Sequence, residues 1–300
     1  MATYTATIPS STDRPALKIL MLHGYTQSST LFRAKSAALA KFIKKTFPSY
    51  AVSICYPTAP HRLRMPDLPG YESQSLEKES GLDASGEEEI EAFAWFRRRD
   101  ESDPPEYLGL EDGLGALAKV LSEEGPFDGV IGFSQGAAMA AMIASLLEPN
   151  RADSFTHFTK VASESDGCEI IGGIPFPSSF DAPNLSHPPL KFAICYSGFR
   201  APGPRYRAFY EHPPIRTPVL HILGSLDAVV VESRSRALID ACEGSSEQDG
   251  TVVWHPGGHF VPSQLRFLEV PALFIRECLE GVSCKSKDEE EKVEDMEVPF

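Results

Sequence analysis

The sequence is short of positive charge, of paired cysteines and of long apolar runs, and each shortage excludes something. Its 300 residues carry 28 Lys and Arg against 42 Asp and Glu, a formal net charge of −14 at pH 7. Nucleic-acid binding needs a basic stripe that releases counterions from phosphate. The dense basic run here is Arg97-Arg98-Arg99, which Asp100-Glu101 follow at once. It reads as solvated surface, so nucleic acid is excluded as the main partner. The same balance disfavours an anionic membrane surface. No stretch approaches the roughly 20 apolar residues that span a bilayer. Six cysteines (Cys55, Cys168, Cys195, Cys242, Cys278 and Cys284) include no Cys-x-x-Cys pair, and Cys55 and Cys195 sit in apolar runs that read as buried strands. No His-Glu-x-x-His spacing suggests a metal site. Met1–Pro15 is polar and has no apolar core, so no secretory leader is expected and a reducing, cytoplasmic setting is the expectation.

What is present is globular: 42% apolar and 23% charged residues, close to ordinary domains. The acidity is local. Residues 72–91 hold eight acids and one lysine, and residues 285–300 hold seven acids and three lysines, leaving a balance of only −3 on the other 264 residues. The expected organisation is one domain over residues 1–284 followed by a disordered acidic tail, 285–300.

Within that domain, apolar runs bounded by Gly or Pro alternate with stretches of helical periodicity. Strands are expected at Leu17–Leu22, Tyr50–Tyr56, Val130–Phe133, Leu190–Tyr196, Val219–Leu223 and Thr251–His255. Helices are expected at Ser28–Thr46, Leu110–Glu124, Gln135–Leu147, Glu232–Cys242 and Gln264–Leu279, the last disturbed at Pro271. Such alternation means an α/β fold with a mostly parallel sheet covered on both faces. Two Pro-bearing excursions, 57–108 and 150–189, interrupt it, the first with one helix near Glu87–Arg98. Connections this long are expected to form a lid or pocket cover.

The most specific chemical signal is Gly132-Phe133-Ser134-Gln135-Gly136. This G-x-S-x-G follows an expected strand and opens an expected helix, the context in which a sharp turn lifts a serine hydroxyl above a sheet. Small flanking residues let the turn pass without clash. Chain order in such sites is nucleophile, acid, histidine. Of eight histidines, His259 lies in a glycine-flanked loop after the last strand, able to aim an imidazole back over the sheet. His221 and His255 fall inside strands, and His23 reads as a loop-shaping residue. The acid expected to orient the imidazole is Asp227, just past Val219–Leu223. Asp240 is the alternative, within a helix. Two backbone donors are expected to hold an oxyanion: the N–H of Gln135 and the N–H of Tyr25 in the loop after the first strand. Trp95 and Phe96 are candidates for an acyl pocket, with core packing as the competing reading. Gly113-Leu114-Gly115-Ala116-Leu117-Ala118 imitates a dinucleotide motif, but no strand is expected before it.

Several longer segments resemble the FSH-type family of serine hydrolases: Leu22-His23-Gly24-Tyr25-Thr26-Gln27-Ser28, Tyr56-Pro57-Thr58-Ala59-Pro60-His61, residues 125–137 around Ser134, Tyr196-Ser197-Gly198-Phe199, His221 to Asp227, and Gly257-Gly258-His259-Phe260-Val261-Pro262. The resemblance runs from about Lys18 to Leu279. It implies an α/β-hydrolase fold, esterase activity without a cofactor, and Ser134, Asp227 and His259 as the triad, the same three that position selects. Some members of that family act as thioesterases that release polyketide chains. The resemblance therefore implies an ester or acyl-thioester substrate, with a carrier protein as a possible partner. The acidic stretch Glu72–Glu91 and the segment Asn150–Pro189 depart from its compact members.

Overall fold

A computed structural model describes residues 14–64, 67, 91–163 and 172–281. Most of the acidic stretch 72–91 and all of the tail 285–300 lie outside these residues. The chain opens with strand β1 (Ala16–Leu22), helices α1 (Ser29–Lys35) and α2 (Ala37–Thr46), and β2 (Ala51–Cys55). Two short ribbons follow: β3 (His61–Arg62) with β4 (Phe93–Ala94), and β5 (Arg97–Arg99) with β6 (Glu106–Leu108). Then come α3 (Leu110–Glu124), β7 (Gly129–Phe133), α4 (Gln135–Leu146), α5 (Arg151–Ser163), β8 (Phe192–Tyr196), β9 (Val219–Gly224), α6 (Glu232–Ile239), β10 (Val252–His255) and α7 (Leu265–Glu280).

Six strands form one sheet in the order β10-β9-β8-β7-β1-β2, every neighbouring pair parallel. Parallel sheets need cover on both faces, and alternation within β1 supplies it. Leu20 and Leu22 pack with α3 and α4 on one face; Leu17, Ile19 and Met21 pack with α1, α2 and α7 on the other. Every residue of α4 is buried, so this helix is the spine under the sheet's centre. The α/β-hydrolase architecture follows from this sheet, with the loops after β7, β9 and β10 meeting at its C-terminal edge.

Several expectations are corrected. The helix expected over Ser28–Thr46 is two helices, broken at Ser36, whose Oγ donates to the Phe32 carbonyl at 2.7 Å. The helix expected near Glu87–Arg98 is extended wherever residues are described. There the backbone pairs with distant partners, since the Phe93 N–H donates to the Gln27 carbonyl at 3.1 Å and the Thr26 N–H to the Phe93 carbonyl at 3.0 Å. These long-range bonds override local helical preference. The excursion 150–189 holds a helix, α5, that its polar composition hid. Phe155 and Phe158, three residues apart, form its buried stripe. Pro271 does not interrupt α7, which runs through it with Pro271 buried. A strand, β6, does precede Gly113, but it belongs to an antiparallel ribbon and not to the parallel sheet. A Cβ on Gly113 would sit 2.2 Å from the Trp95 carbonyl oxygen, so this glycine serves close packing. No helix among the described residues is long and apolar enough to cross a membrane.

Candidate active site

The turn between β7 and α4 places Ser134 at φ 53°, ψ −116°, a left-handed conformation costly for a residue with a Cβ. Two glycines make the turn possible by close approach. A Cβ on Gly132 would lie 2.2 Å from the Gly136 carbonyl oxygen, and one on Gly136 would lie 2.2 Å from that of Leu22. The Ser134 N–H donates to the Tyr196 carbonyl at 2.8 Å, which ties the turn to the end of β8.

Two further loops reach the same point. Past β9, Ser225 N–H donates to the His255 carbonyl at 2.9 Å and Leu226 N–H to the Gly257 carbonyl at 3.0 Å. These bonds lock the loop carrying Asp227 to the loop carrying His259. The result is a continuous line: Ser134 Oγ lies 2.9 Å from His259 Nε2, and His259 Nδ1 lies 2.7 Å from Asp227 Oδ2. A carboxylate only accepts, so Nδ1 carries the proton and Nε2 is left to accept from the serine hydroxyl. The second carboxylate oxygen of Asp227 accepts from the N–H groups of Val229 and Val230, both at 2.9 Å. Burial alone would push the Asp227 carboxyl up; the hydrogen bonds from His259 and Val230 outweigh it and hold the group below the usual carboxylate range. Asp240 instead caps the exposed end of α6. The structure brings Asp227, not Asp240, to the imidazole.

Of the two expected backbone donors, Gln135 follows Ser134 in the chain and Tyr25 lines both clefts beside it. Gln135 is the first residue of α4, so its N–H has no intrahelical acceptor. In the loop after β1, Gly24 N–H donates to Gln27 Oε1 at 3.2 Å, Thr26 N–H to Phe93 and Gln27 N–H to Gly24. The Tyr25 N–H is left without an acceptor among the described residues. His23 shapes this loop. Its Nε2 accepts from the Ala59 N–H at 3.0 Å, which requires Nδ1–H to donate to the Gly24 carbonyl at 2.8 Å. Burial holds the ring neutral, with its pKa lowered to about 4.

Sequence reasoning missed the Gln135 side chain. Its Oε1 accepts from the Trp95 N–H at 2.7 Å and its Nε2 donates to the Phe96 carbonyl at 2.8 Å. Trp95 Nε1 donates to the His23 carbonyl at 2.9 Å. The 95–96 segment is thereby fastened to both sides of the site. The available signal was a polar residue heading an otherwise alanine-rich buried helix, which must find partners. Trp95 and Phe96 are both buried in the core, and Phe96 also lines a cleft beside Ser134.

Ser134 opens onto two clefts. One, of about 470 Å³, is largely apolar, with Phe32, Phe133, Val229, Phe260 and Val261 in its wall beside one exposed cation, Lys35. The other, of about 340 Å³, has Phe96, Tyr107, Phe199 and Val230 in its wall, together with Arg98 and Arg234. Burial pushes the Tyr107 hydroxyl up to about 12, so it stays protonated at neutral pH. Among the described residues, no group of three or more His, Cys, Asp or Glu side chains is arranged to hold a metal ion.

A parallel α/β sheet with a serine on its sharp central turn defines an α/β-hydrolase of the serine type. Residues 12–270 match the family described as Serine hydrolase (FSH1), and the chain belongs to that family. It is similar to Family of serine hydrolases 3 of Saccharomyces cerevisiae, 32% identical over 277 residues, covering 91% of this chain and 86% of that protein. It is also similar to Esterase OVCA2 of Danio rerio, 31% identical over 255 residues, covering 82% and 91%. A Schizosaccharomyces pombe protein named dihydrofolate reductase is 33% identical over 83% of this chain, but the chain spans only 44% of its length. Among solved structures, acyl-protein thioesterase 2 of Zea mays superposes with a TM-score of 0.53 at 19% identity, over 89% of this chain and 95% of that one. At that identity the likeness is one of fold.

Proposed function

We propose that the protein hydrolyses carboxylic esters or thioesters through an acyl-enzyme on Ser134. The observation that carries this reading is the hydrogen-bonded line from Ser134 to His259 to Asp227, drawn from the ends of three different strands. Ser134 Oγ attacks the carbonyl carbon while His259 Nε2 takes its proton. Asp227, kept ionised, stabilises the imidazolium. The carbonyl oxygen becomes an oxyanion between the N–H groups of Tyr25 and Gln135. His259 then protonates the departing alcohol or thiol, water enters, and the same imidazole activates it to release the acid. No step calls for a cofactor.

The names of the relatives, esterase and serine hydrolase, agree with an ester substrate. A thioester on a carrier protein in a biosynthetic pathway needs the same steps and differs only in what the leaving thiol is attached to. Residues 1–284 as one catalytic domain and a cytoplasmic setting belong to the same reading. The direct test is labelling with a fluorophosphonate probe beside hydrolysis of p-nitrophenyl esters and acyl thioesters of rising chain length. The wild-type protein should label and turn over; Ser134→Ala should do neither. Labelling that survives the substitution, or a wild-type protein inert in every assay, removes the proposal and leaves a ligand-binding module on a hydrolase scaffold.

A further inference from the structure

Both clefts beside Ser134 have basic side chains in their walls, Lys35 in the larger and Arg98 and Arg234, with Asp67, in the smaller. Arg234 leaves α6 and lies with its guanidinium carbon 4.1 Å from the centre of the Phe199 ring. A guanidinium resting on an aromatic face is held in plane with its N–H edge free to donate. One Nη donates weakly to the Tyr107 hydroxyl, at 3.4 Å. Among the described residues no carboxylate lies within ion-pair distance of Arg234. Arg98 faces the same cleft from β5; its partner Asp100, at 2.7 Å, is well exposed. A pair of that kind contributes little and yields readily to a better ligand.

Asp67 also lines this cleft, but it is already engaged, accepting from the Arg64 N–H at 2.9 Å and lying 3.6 Å from Arg97. Outward, Arg98 and Arg234 continue into a groove that adds Arg200 and Arg207, which share the one carboxylate of Glu211. Positive charge is thus concentrated beside the serine of a chain whose net charge is −14. Arg234 is half-buried and Arg98 exposed, so water solvates both until an anion arrives to pair with them.

We propose that this cleft binds an anionic group, phosphate or carboxylate, on the substrate, with Arg98 and Arg234 as its ligands. The apolar cleft across Ser134 then takes the uncharged half. The inference rests on Ser134 as the reacting residue, and it names the substrate class: esters or thioesters bearing a negative charge on one side of the scissile bond. The anion has two chemical sources. A phosphate on the departing thiol, as in a phosphopantetheine thioester, places it on the leaving side. A free carboxylate at the far end of a dicarboxylic acyl chain places it on the acyl side.

Binding to the Ser134→Ala protein tests this without turnover. Isothermal titration would compare octanoyl-phosphopantetheine with octanoyl-pantetheine, and the mono-thioester of octanedioic acid with the octanoyl thioester, each on N-acetylcysteamine. At low salt at least one anionic ligand should bind tenfold or more tightly than its neutral counterpart. That gain should shrink as salt is added and fall at least fivefold when Arg98→Gln or Arg234→Gln is introduced. Arg234→Lys should restore part of it. The arm that responds identifies the source of the anion. Equal binding in both arms, or a gain that survives both arginine substitutions, overturns the proposal. Arg98 is exposed and outside the core, so its variant reports even where Arg234→Gln perturbs packing. Wild-type hydrolysis of the neutral thioesters is measured separately, so failure of the nucleophile assignment stays distinct from failure of the anion site.

Discussion

The turn around Ser134 and the segment from residue 91 to 108 stand on opposite sides of the same cleft and are built by opposite rules. The turn's own shape is set locally, by Gly132 against Gly136 with Ser134 at positive φ between them, and Leu22 and Tyr196 fasten it to the sheet. The covering segment is shaped by distant partners. Its carbonyls and N–H groups bond to Gln27, His23 and Gln135, each at least 39 residues away in sequence. The first region is the geometry of the proposed reaction, and its close approaches leave no room for a Cβ at Gly132 or Gly136. The second decides what can lie beside it, and it is held by a few polar bonds that other side chains could have supplied. Chemistry and selectivity are thus separable in this molecule, and substitutions should separate them.

The largest effect should come from the reaction side. Asp227→Asn keeps the size of the side chain and its bonds from Val229 and Val230, but permits the wrong tautomer of His259. Turnover should fall by roughly 10⁴-fold with KM little changed and the thermal midpoint nearly intact. Steady-state kinetics on a short p-nitrophenyl ester would measure it. Activity within tenfold of wild type would mean that the acid is not Asp227 and that the contrast drawn above is misplaced.

That contrast also explains what was legible beforehand. Ser134, Asp227 and His259 could be read because each sits in a short loop directly after a strand, and strands announce themselves by local apolar runs. The six-stranded sheet was legible for the same reason. The two ribbons were not, since Phe93–Ala94 is two residues long and owes its extended form to Gln27 and Thr26. Helix α5 hid because its stripe is narrow and its buried Arg151 reads as surface. Arg234 reads as one more charged residue on a helix; only the fold lays it over Phe199 and into a cleft.

A substitution at the joint between the two regions comes next in size. Gln135→Ala keeps the backbone N–H of the proposed oxyanion site but strips the amide that holds Trp95 and Phe96. Both abandoned backbone groups are buried, and each such loss costs about 1–3 kcal/mol. The denaturation midpoint should drop accordingly. KM for bulky esters should change more than kcat for a small one, because the wall moves and the triad does not. If kcat on acetate esters falls as far as in Asp227→Asn, the two regions are one unit.

The smallest effect concerns His23, whose ring shapes the loop under Tyr25 and whose carbonyl holds Trp95. Its Nε2 accepts from the Ala59 N–H, so a proton added there would set one donor against another. Burial outweighs the opposing hydrogen bond to the Gly24 carbonyl and leaves the ring neutral in the fold, with its pKa lowered to about 4 from an ordinary 6.5. Between those values the unfolded chain binds a proton that the folded chain refuses. Stability is therefore full above pH 6.5 and declines as pH falls toward 4, by at most about 1.4 kcal/mol per pH unit for one such group. His221, fully buried and lowered to about 3, adds in the same direction. Urea midpoints at pH 7.5 and pH 5.0 should thus differ more in the wild type than in His23→Gln, whose amide oxygen can accept from Ala59 without titrating. An equal difference in the two proteins would show that this ring does not carry the acid sensitivity.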